Sequence, residues 1–318
     1  RLNGTSRKSA STRCAEPLGP LTAEDPPRGT GVLGGITPAY QGVLLSSQVP
    51  GPRDTIGKMG KGMRILFLQY DAVENYGVMV ISSLLQAGGH QCDLLVDVLE
   101  RDLEGKVAGF RPDLIAFSLT SSRYSWMTDT LRRLRRGPRV PIVVGGPHPT
   151  FFPEIIGDEG IDIVCRGEGE RAMRELADHL ERQDDITRIP NLWVKQGETI
   201  HRNPLRNLLE DLDGLPMADR GLYLKYGYFR RKNTEIFLVT RGCPHHCTFC
   251  FNQQYNALYQ GKGRIVRKIS VPRLMEEIQR SRELKPSVTH LCFWDDDFLL
   301  GPPAWFDEFF QRYPDEVH

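Results

Sequence analysis

Three cysteines crowd into eight residues of this 318-residue chain, in the loop Cys243-Pro244-His245-His246-Cys247-Thr248-Phe249-Cys250. The run before it, Glu235-Ile236-Phe237-Leu238-Val239-Thr240, has the apolar, β-branched character of a strand, and Arg241-Gly242 breaks it. A C-x3-C-x2-C loop offers three thiolates, enough to hold three irons of a [4Fe–4S] cube and leave the fourth open to a ligand. Structural zinc, with His245 or His246 as a further donor, is the competing chemistry. Such zinc sites are commonly built from two separated ligand pairs. No second pair follows here, and Cys292 stands alone in an apolar strand. Seven cysteines cannot form a neat disulfide framework, which fits a reducing compartment, the cytoplasm.

Four upstream loops could meet a large flat ligand. They are Tyr70-Asp71-Ala72-Val73-Glu74-Asn75-Tyr76-Gly77, Ser118-Leu119-Thr120-Ser121, Gly145-Gly146-Pro147-His148 and Arg166-Gly167-Glu168-Gly169-Glu170. Glycines and small hydroxyl residues let backbone approach a ligand and hydrogen-bond its edge, although each glycine also has an ordinary turn reading. The spacing does not match GxGxxG, which disfavours a dinucleotide. His148, flanked by Pro147 and Pro149, is expected to be a solvated loop residue. Downstream, Asp295-Asp296-Asp297 offers carboxylates suited to an ammonium or hydroxyl partner, or to capping the next turn.

These loops need a frame. Apolar runs at Arg64–Leu68, Gln91–Val96, Leu114–Leu119, Ile142–Val144 and Ile161–Val164 alternate with helical patterns at Tyr76–Gln86, Leu99–Phe110, Trp126–Arg136, Phe152–Asp158 and Glu168–Leu180. Five strands alternating with helices predict a flavodoxin-like, doubly wound parallel α/β domain over residues 63–182, with its ligand beyond the carboxyl ends of the strands. Residues 183–230 read as a linker carrying a hairpin, with strands at Asn191–Lys195 and Thr199–His201 around Gly197. Residues 231–318 run strand, cysteine loop, helix Val271–Leu284, strand, acidic loop and helix, which is two βα units of a barrel.

Residues 1–62, rich in glycine, proline and serine, predict a disordered tail or sequence upstream of a start at Met59 or Met63. The chain opens on Arg1, and the helical pattern around Tyr313 has no closing element, so a truncated second domain, inactive alone, is expected. With 41 Lys+Arg against 40 Asp+Glu, charge gives no case for nucleic acid or a membrane surface. The run Arg132-Arg133-Leu134-Arg135-Arg136 reads as the solvated face of a helix whose Leu131 and Leu134 turn inward.

The cysteine loop after a strand, with Phe251-Asn252 following it, resembles the radical-SAM superfamily. Pro112–Ser118, Val143-Val144-Gly145-Gly146-Pro147-His148 and Val164–Glu170 resemble the amino-terminal domain of its cobalamin-binding branch. The resemblance spans roughly residues 63–225 and the cysteine loop, and implies a partial (β/α) barrel over residues 231–318. It implies a [4Fe–4S] cluster on Cys243, Cys247 and Cys250, S-adenosylmethionine near Phe249 and Asp296, and cobalamin over Tyr76, Gly77, Ser118, Thr120, Gly145, Gly146, Pro147, Gly167, Glu168 and Gly169. No Asp-x-His-x-x-Gly motif is present, so cobalt is expected to lack a histidine from that position.

The implied reaction is reductive cleavage of S-adenosylmethionine to a 5′-deoxyadenosyl radical, with methyl transfer to an unactivated carbon of a small molecule and a flavodoxin- or ferredoxin-type electron donor. A cyclase acting on magnesium-porphyrin esters and an inactive corrinoid-binding module are the alternatives. Methylthiotransferases need three further cysteines in the first domain, and only Cys92 and Cys165 occur there.

Overall fold

The computed structural model describes residues 62–317, so the tail expectation falls, but for Gly62, outside the described residues. Apolar runs build a sheet buried on both faces. In β1 (Arg64–Gln69), Ile65 and Phe67 enter one core while Leu66 and Leu68 enter the other. Around it lie β2 (Gln91–Val96), β3 (Leu114–Ser118), β4 (Ile142–Gly145) and β5 (Ile163–Cys165), all parallel, in the order β2-β1-β3-β4-β5. Helices α1 (Tyr76–Ala87) and α5 (Glu170–Arg182) cover the first face; α2 (Leu103–Phe110) and α3 (Tyr124–Leu134) cover the second. This is the doubly wound arrangement, and its strand order reverses between β1 and β3.

The sheet is larger than five strands. The hairpin of β6 (Leu192–Gln196) and β7 (Thr199–Arg202) extends it antiparallel to β5, giving seven strands. Leu192 and Val194 are buried in the first core, and pairing with β6 removes the exposed edge that β5 would otherwise present. The hairpin read as linker is thus part of this sheet. The helix expected near Phe152–Asp158 splits into α4 (Pro147–Phe151) and a 3-10 turn at Pro153–Gly157, each opened by a proline. In the basic run, Arg132 pairs with Asp129, Arg133 with Glu104 and Arg135 with Asp162, while Leu131 is buried.

Short helices α6 (Gly221–Leu224) and α7 (Gly227–Arg231) insert Tyr223 and Phe229 into the first core. The chain then forms β8 (Thr234–Phe237), β9 (Thr240–Arg241), α8 (Asn252–Leu258), β10 (Arg267–Lys268), α9 (Val271–Leu284), β11 (His290–Phe293) and α10 (Pro303–Glu316). Strands β8 and β11 pair in parallel with α9 between them, and β9 pairs antiparallel with β10. Leu274, Met275 and Ile278 of α9 bury against Phe237, Trp305 and Phe309. Ser270 caps α9 by accepting from the Arg273 N–H, and Pro272 sits in its first turn, where no donor is needed.

Candidate cofactor site

A cavity of about 350 Å³ opens where β1, β3, β4 and β5 end. Phe67, Ala116, Val143 and Cys165 of the strands line it, with Val78 and Ile81 of α1 and Met173 of α5. Burial pushes the Cys165 thiol up to about 12, so it stays protonated and serves as apolar wall. Gly77, Ser118, Thr120, Gly145, Gly146, Pro147 and Gly169, all expected from the sequence, line the cavity too.

The two adjacent glycines do different work. Gly146 has φ +98°, and a Cβ there would lie 2.8 Å from the Leu119 nitrogen, so the turn itself excludes a side chain. A Cβ on Gly145 would meet nothing nearer than Cys165 Cβ at 3.6 Å, so a side chain there is tolerated by the fold and intrudes on the cavity. Asn75, not singled out in the sequence, also lines the space. Its Oδ1 accepts from the Val78 N–H at 3.2 Å, capping α1, and its Nδ2 donates to Ser118 Oγ at 3.0 Å. Asparagine before a helix was a readable capping signal.

Tyr76, Gly167 and Glu168 sit elsewhere, at a joint with the second half of the chain. The Tyr76 hydroxyl donates to Glu277 Oε2 of α9 at 3.0 Å. Gly167 has φ +67° and lies under the Tyr259 ring, whose hydroxyl would be 1.8 Å from a Cβ; the same hydroxyl accepts from the Glu168 N–H at 3.2 Å. Glu168 Oε1 pairs with Arg267 at 2.7 Å and Arg241 at 3.4 Å, and its Oε2 accepts from the Leu209 N–H at 2.9 Å. Glu170 Oε1 pairs with Arg241 Nη2 at 2.6 Å. Burial pushes the Glu170 carboxyl up, but Arg241 outweighs it and the carboxyl ends below its usual range. The carboxylates of the Arg166–Glu170 loop therefore bind arginines.

The cysteine loop leaves this joint directly. Gly242, between Arg241 and Cys243, has φ +81°, and a Cβ there would lie 2.2 Å from the Ile265 carbonyl oxygen. Cys243 is buried and its carbonyl accepts from Asn256 Nδ2 at 2.9 Å; Cys247 is exposed and Cys250 intermediate. None of the three is in a disulfide. Their chemistry fits a cluster, while among the described residues no three His, Cys, Asp or Glu side chains converge to hold a metal. Phe249 is 93% exposed. Phe251, just beyond Cys250, meets Phe151 of α4 edge-on at 6.2 Å.

Of the acidic triplet, Asp295 Oδ1 accepts from the Val239 N–H at 3.0 Å and also from the Thr240 N–H, tying the loop after β11 to the start of β9. Burial raises its carboxyl despite those donors. Asp297 pairs with His245 at 3.3 Å, and Asp296 is exposed with no carboxylate partner among the described residues. His148 is half-buried rather than solvated. It lies 5.3 Å from the Tyr124 ring and 5.2 Å from that of Phe152, and its Nδ1 meets Ser121 Oγ at 2.8 Å. Burial lowers its pKa, favouring the neutral imidazole.

Residues 70–177 match the model of the B12 binding domain family. Over 258 residues the chain is 27% identical to an uncharacterised methyltransferase of Pyrococcus horikoshii, covering 79% of this chain and 52% of that protein. Over 187 residues it is 29% identical to the anaerobic magnesium-protoporphyrin IX monomethyl ester cyclase of Synechocystis, covering 55% of this chain and 37% of the relative. The chain thus spans about half or less of these curated relatives. Its fold is similar to that of TsrM from Kitasatospora setae, a radical S-adenosylmethionine methyltransferase solved with cobalamin and a [4Fe–4S] cluster bound. The TM-score is 0.62 at 17% identity, over 80% of this chain and 53% of that one. By this family match residues 70–177 are a B12 binding domain, in a chain whose sequence is similar to a methyltransferase and a cyclase and whose fold is similar to that of a radical S-adenosylmethionine enzyme solved with cobalamin bound.

Proposed function

We propose that this protein holds cobalamin at the strand-end cavity, carries a [4Fe–4S] cluster on Cys243, Cys247 and Cys250, and serves methyl transfer from a radical reaction of S-adenosylmethionine. One observation carries the reading. The apolar cavity and the three-thiol loop belong to one structural unit, joined through Glu168, Glu170, Arg241 and Arg267.

When bound, the cluster supplies the electron that cleaves S-adenosylmethionine, and cobalamin supplies the methyl group. The chain's residues bind and shape. The cavity is too small for a corrin macrocycle, but its size and apolar lining suit a flat appendage such as the benzimidazole of the nucleotide tail. Gly145 keeps the mouth open and Gly146 makes the turn beside it. Exposure of Cys247 and Phe249 leaves the loop accessible to S-adenosylmethionine and to an electron donor of flavodoxin or ferredoxin type.

Among the described residues, no helix is long and apolar enough to cross a membrane, and six cysteines are unbridged, which supports a cytoplasmic setting. The boundaries we propose are 63–202 for the cobalamin domain, with the hairpin included, and 231–318 for the radical SAM portion.

Similarity to the Synechocystis cyclase favours a second reading, cyclisation of a magnesium-porphyrin ester. Anaerobic reconstitution followed by a S-adenosylmethionine assay separates the two. Label moving from the S-adenosylmethionine methyl group into an acceptor supports transfer; 5′-deoxyadenosine formed with no methylated product supports cyclisation. Production of neither by the reconstituted full-length protein contradicts both.

A further inference from the structure

The cavity and the cysteine loop are linked by an unbroken run of groups. Gly169 lines the cavity, and the next residue, Glu170, is buried and paired with Arg241 at 2.6 Å. Two residues on stands Cys243. A second tie closes the other end of the loop. Pro147, which lines the cavity, begins α4, and Phe151 of the same helix meets Phe251, the neighbour of Cys250. The middle of the loop, at Cys247 and Phe249, is exposed. Both ends of the cysteine loop are therefore held by elements that frame the cavity.

Arginine suits the first tie. Its planar guanidinium presents two nitrogens to two carboxylates at once, Nη1 to Glu168 and Nη2 to Glu170. Arg267, opposite Arg241 in the β9–β10 pair, completes a set of two cations and two anions. Separating Arg241 from Glu170 would leave charges in a poorly hydrated place, so movement of the loop away from the cavity wall is resisted.

We infer that Arg241 is a positioning residue whose pairing with Glu170 couples the two cofactor sites, each cofactor tightening the binding of the other. The inference rests on the two-cofactor reading proposed above. Coupling of this kind is reciprocal, so either ligand can report it.

The test is a titration of the full chain with hydroxocobalamin, followed by absorbance, in cluster-loaded and in iron-free protein. Wild type should bind at least about fivefold more tightly when loaded. In R241M/E170M, where neither charge is left buried alone, the ratio should fall to about one. Iron-free affinity should stay within about twofold, because neither residue lines the cavity. E170Q keeps a hydrogen bond but loses the charge, and should give an intermediate ratio.

A wild-type ratio of one, or a wild-type-like ratio in R241M/E170M, overturns the coupling. If that double variant lacks a cooperative thermal transition, E170Q decides, and an unchanged ratio in it overturns the coupling equally. Wild-type protein that binds no hydroxocobalamin, or assembles no cluster, overturns instead the functional reading beneath.

Discussion

Neighbouring glycines at the end of β4 separate binding from folding. Gly145→Leu has room for its Cβ, so the thermal transition should stay cooperative while its side chain fills the cavity. Hydroxocobalamin affinity should fall at least about tenfold, a loss of about 1.4 kcal/mol. Gly146→Ala meets both a positive φ and the Leu119 backbone, and should cost about 1–3 kcal/mol in chemical denaturation. Equal loss of binding and of stability in both variants would contradict this division. At the cysteine loop, replacing Cys243, Cys247 or Cys250 by alanine should abolish cluster absorption after reconstitution, whereas Cys92→Ala and Cys292→Ala should leave it intact. Seven cavity-lining residues were legible in the sequence because a ligand-facing turn calls for small residues. Tyr76, Gly167 and Glu168 come from the same loops, and residue type alone cannot say whether a carboxylate or phenol faces a ligand or another part of the chain. Here Glu168 faces two arginines.

Regular elements followed their patterns closely. α9 spans the run its periodicity predicts, Val271–Leu284, because cap, proline and apolar stripe all agree. The hairpin β6–β7 was read correctly as a hairpin, but its pairing with β5 depends on an edge that local pattern does not reveal. Strand β10 carries a testable consequence. Lys268 projects among Phe298, Trp305 and Phe306, with its ammonium 4.1 Å from the Trp305 ring centre and donating to the Phe298 and Leu300 carbonyls at 2.6 and 3.0 Å.

Burial lowers the Lys268 pKa from 10.5 to about 8. Between those values the unfolded chain binds the proton that the folded chain releases, so this residue adds stability as pH rises from about 8 to about 10.5. Denaturation of wild type and Lys268→Met across that range should show the wild type gaining relative to the variant. A constant difference would contradict the assignment.

The halves of the chain meet through buried ion pairs. Arg241 and Arg267 of the second half hold Glu168 and Glu170 of the first. Beside this joint Lys285 and Arg220, the latter from the segment between the halves, flank Glu235, each at 2.5–2.6 Å. Such pairs contribute little net stability over apolar replacements, yet removing one partner is costly. Arg241→Ala should therefore lower stability by about 3–5 kcal/mol, and R241M/E170M by much less, in urea denaturation. This joint was the least legible feature of all. Its carboxylates and arginines lie far apart in sequence, and each alone resembles an ordinary surface charge. The arginine immediately before Gly242-Cys243 was the one visible hint. At this scale the central claim is that one folded unit carries two cofactors.

Anaerobic reconstitution of the full chain with iron, sulfide and hydroxocobalamin, followed by metal analysis and spectroscopy, tests it most directly. The account predicts one cobalamin and about four irons per chain, with the iron lost in the Cys243, Cys247 and Cys250 variants and the corrinoid still bound at saturating hydroxocobalamin, with the weaker affinity of iron-free protein. Corrinoid binding with no cluster absorption, or iron retained after loss of those cysteines, would contradict it.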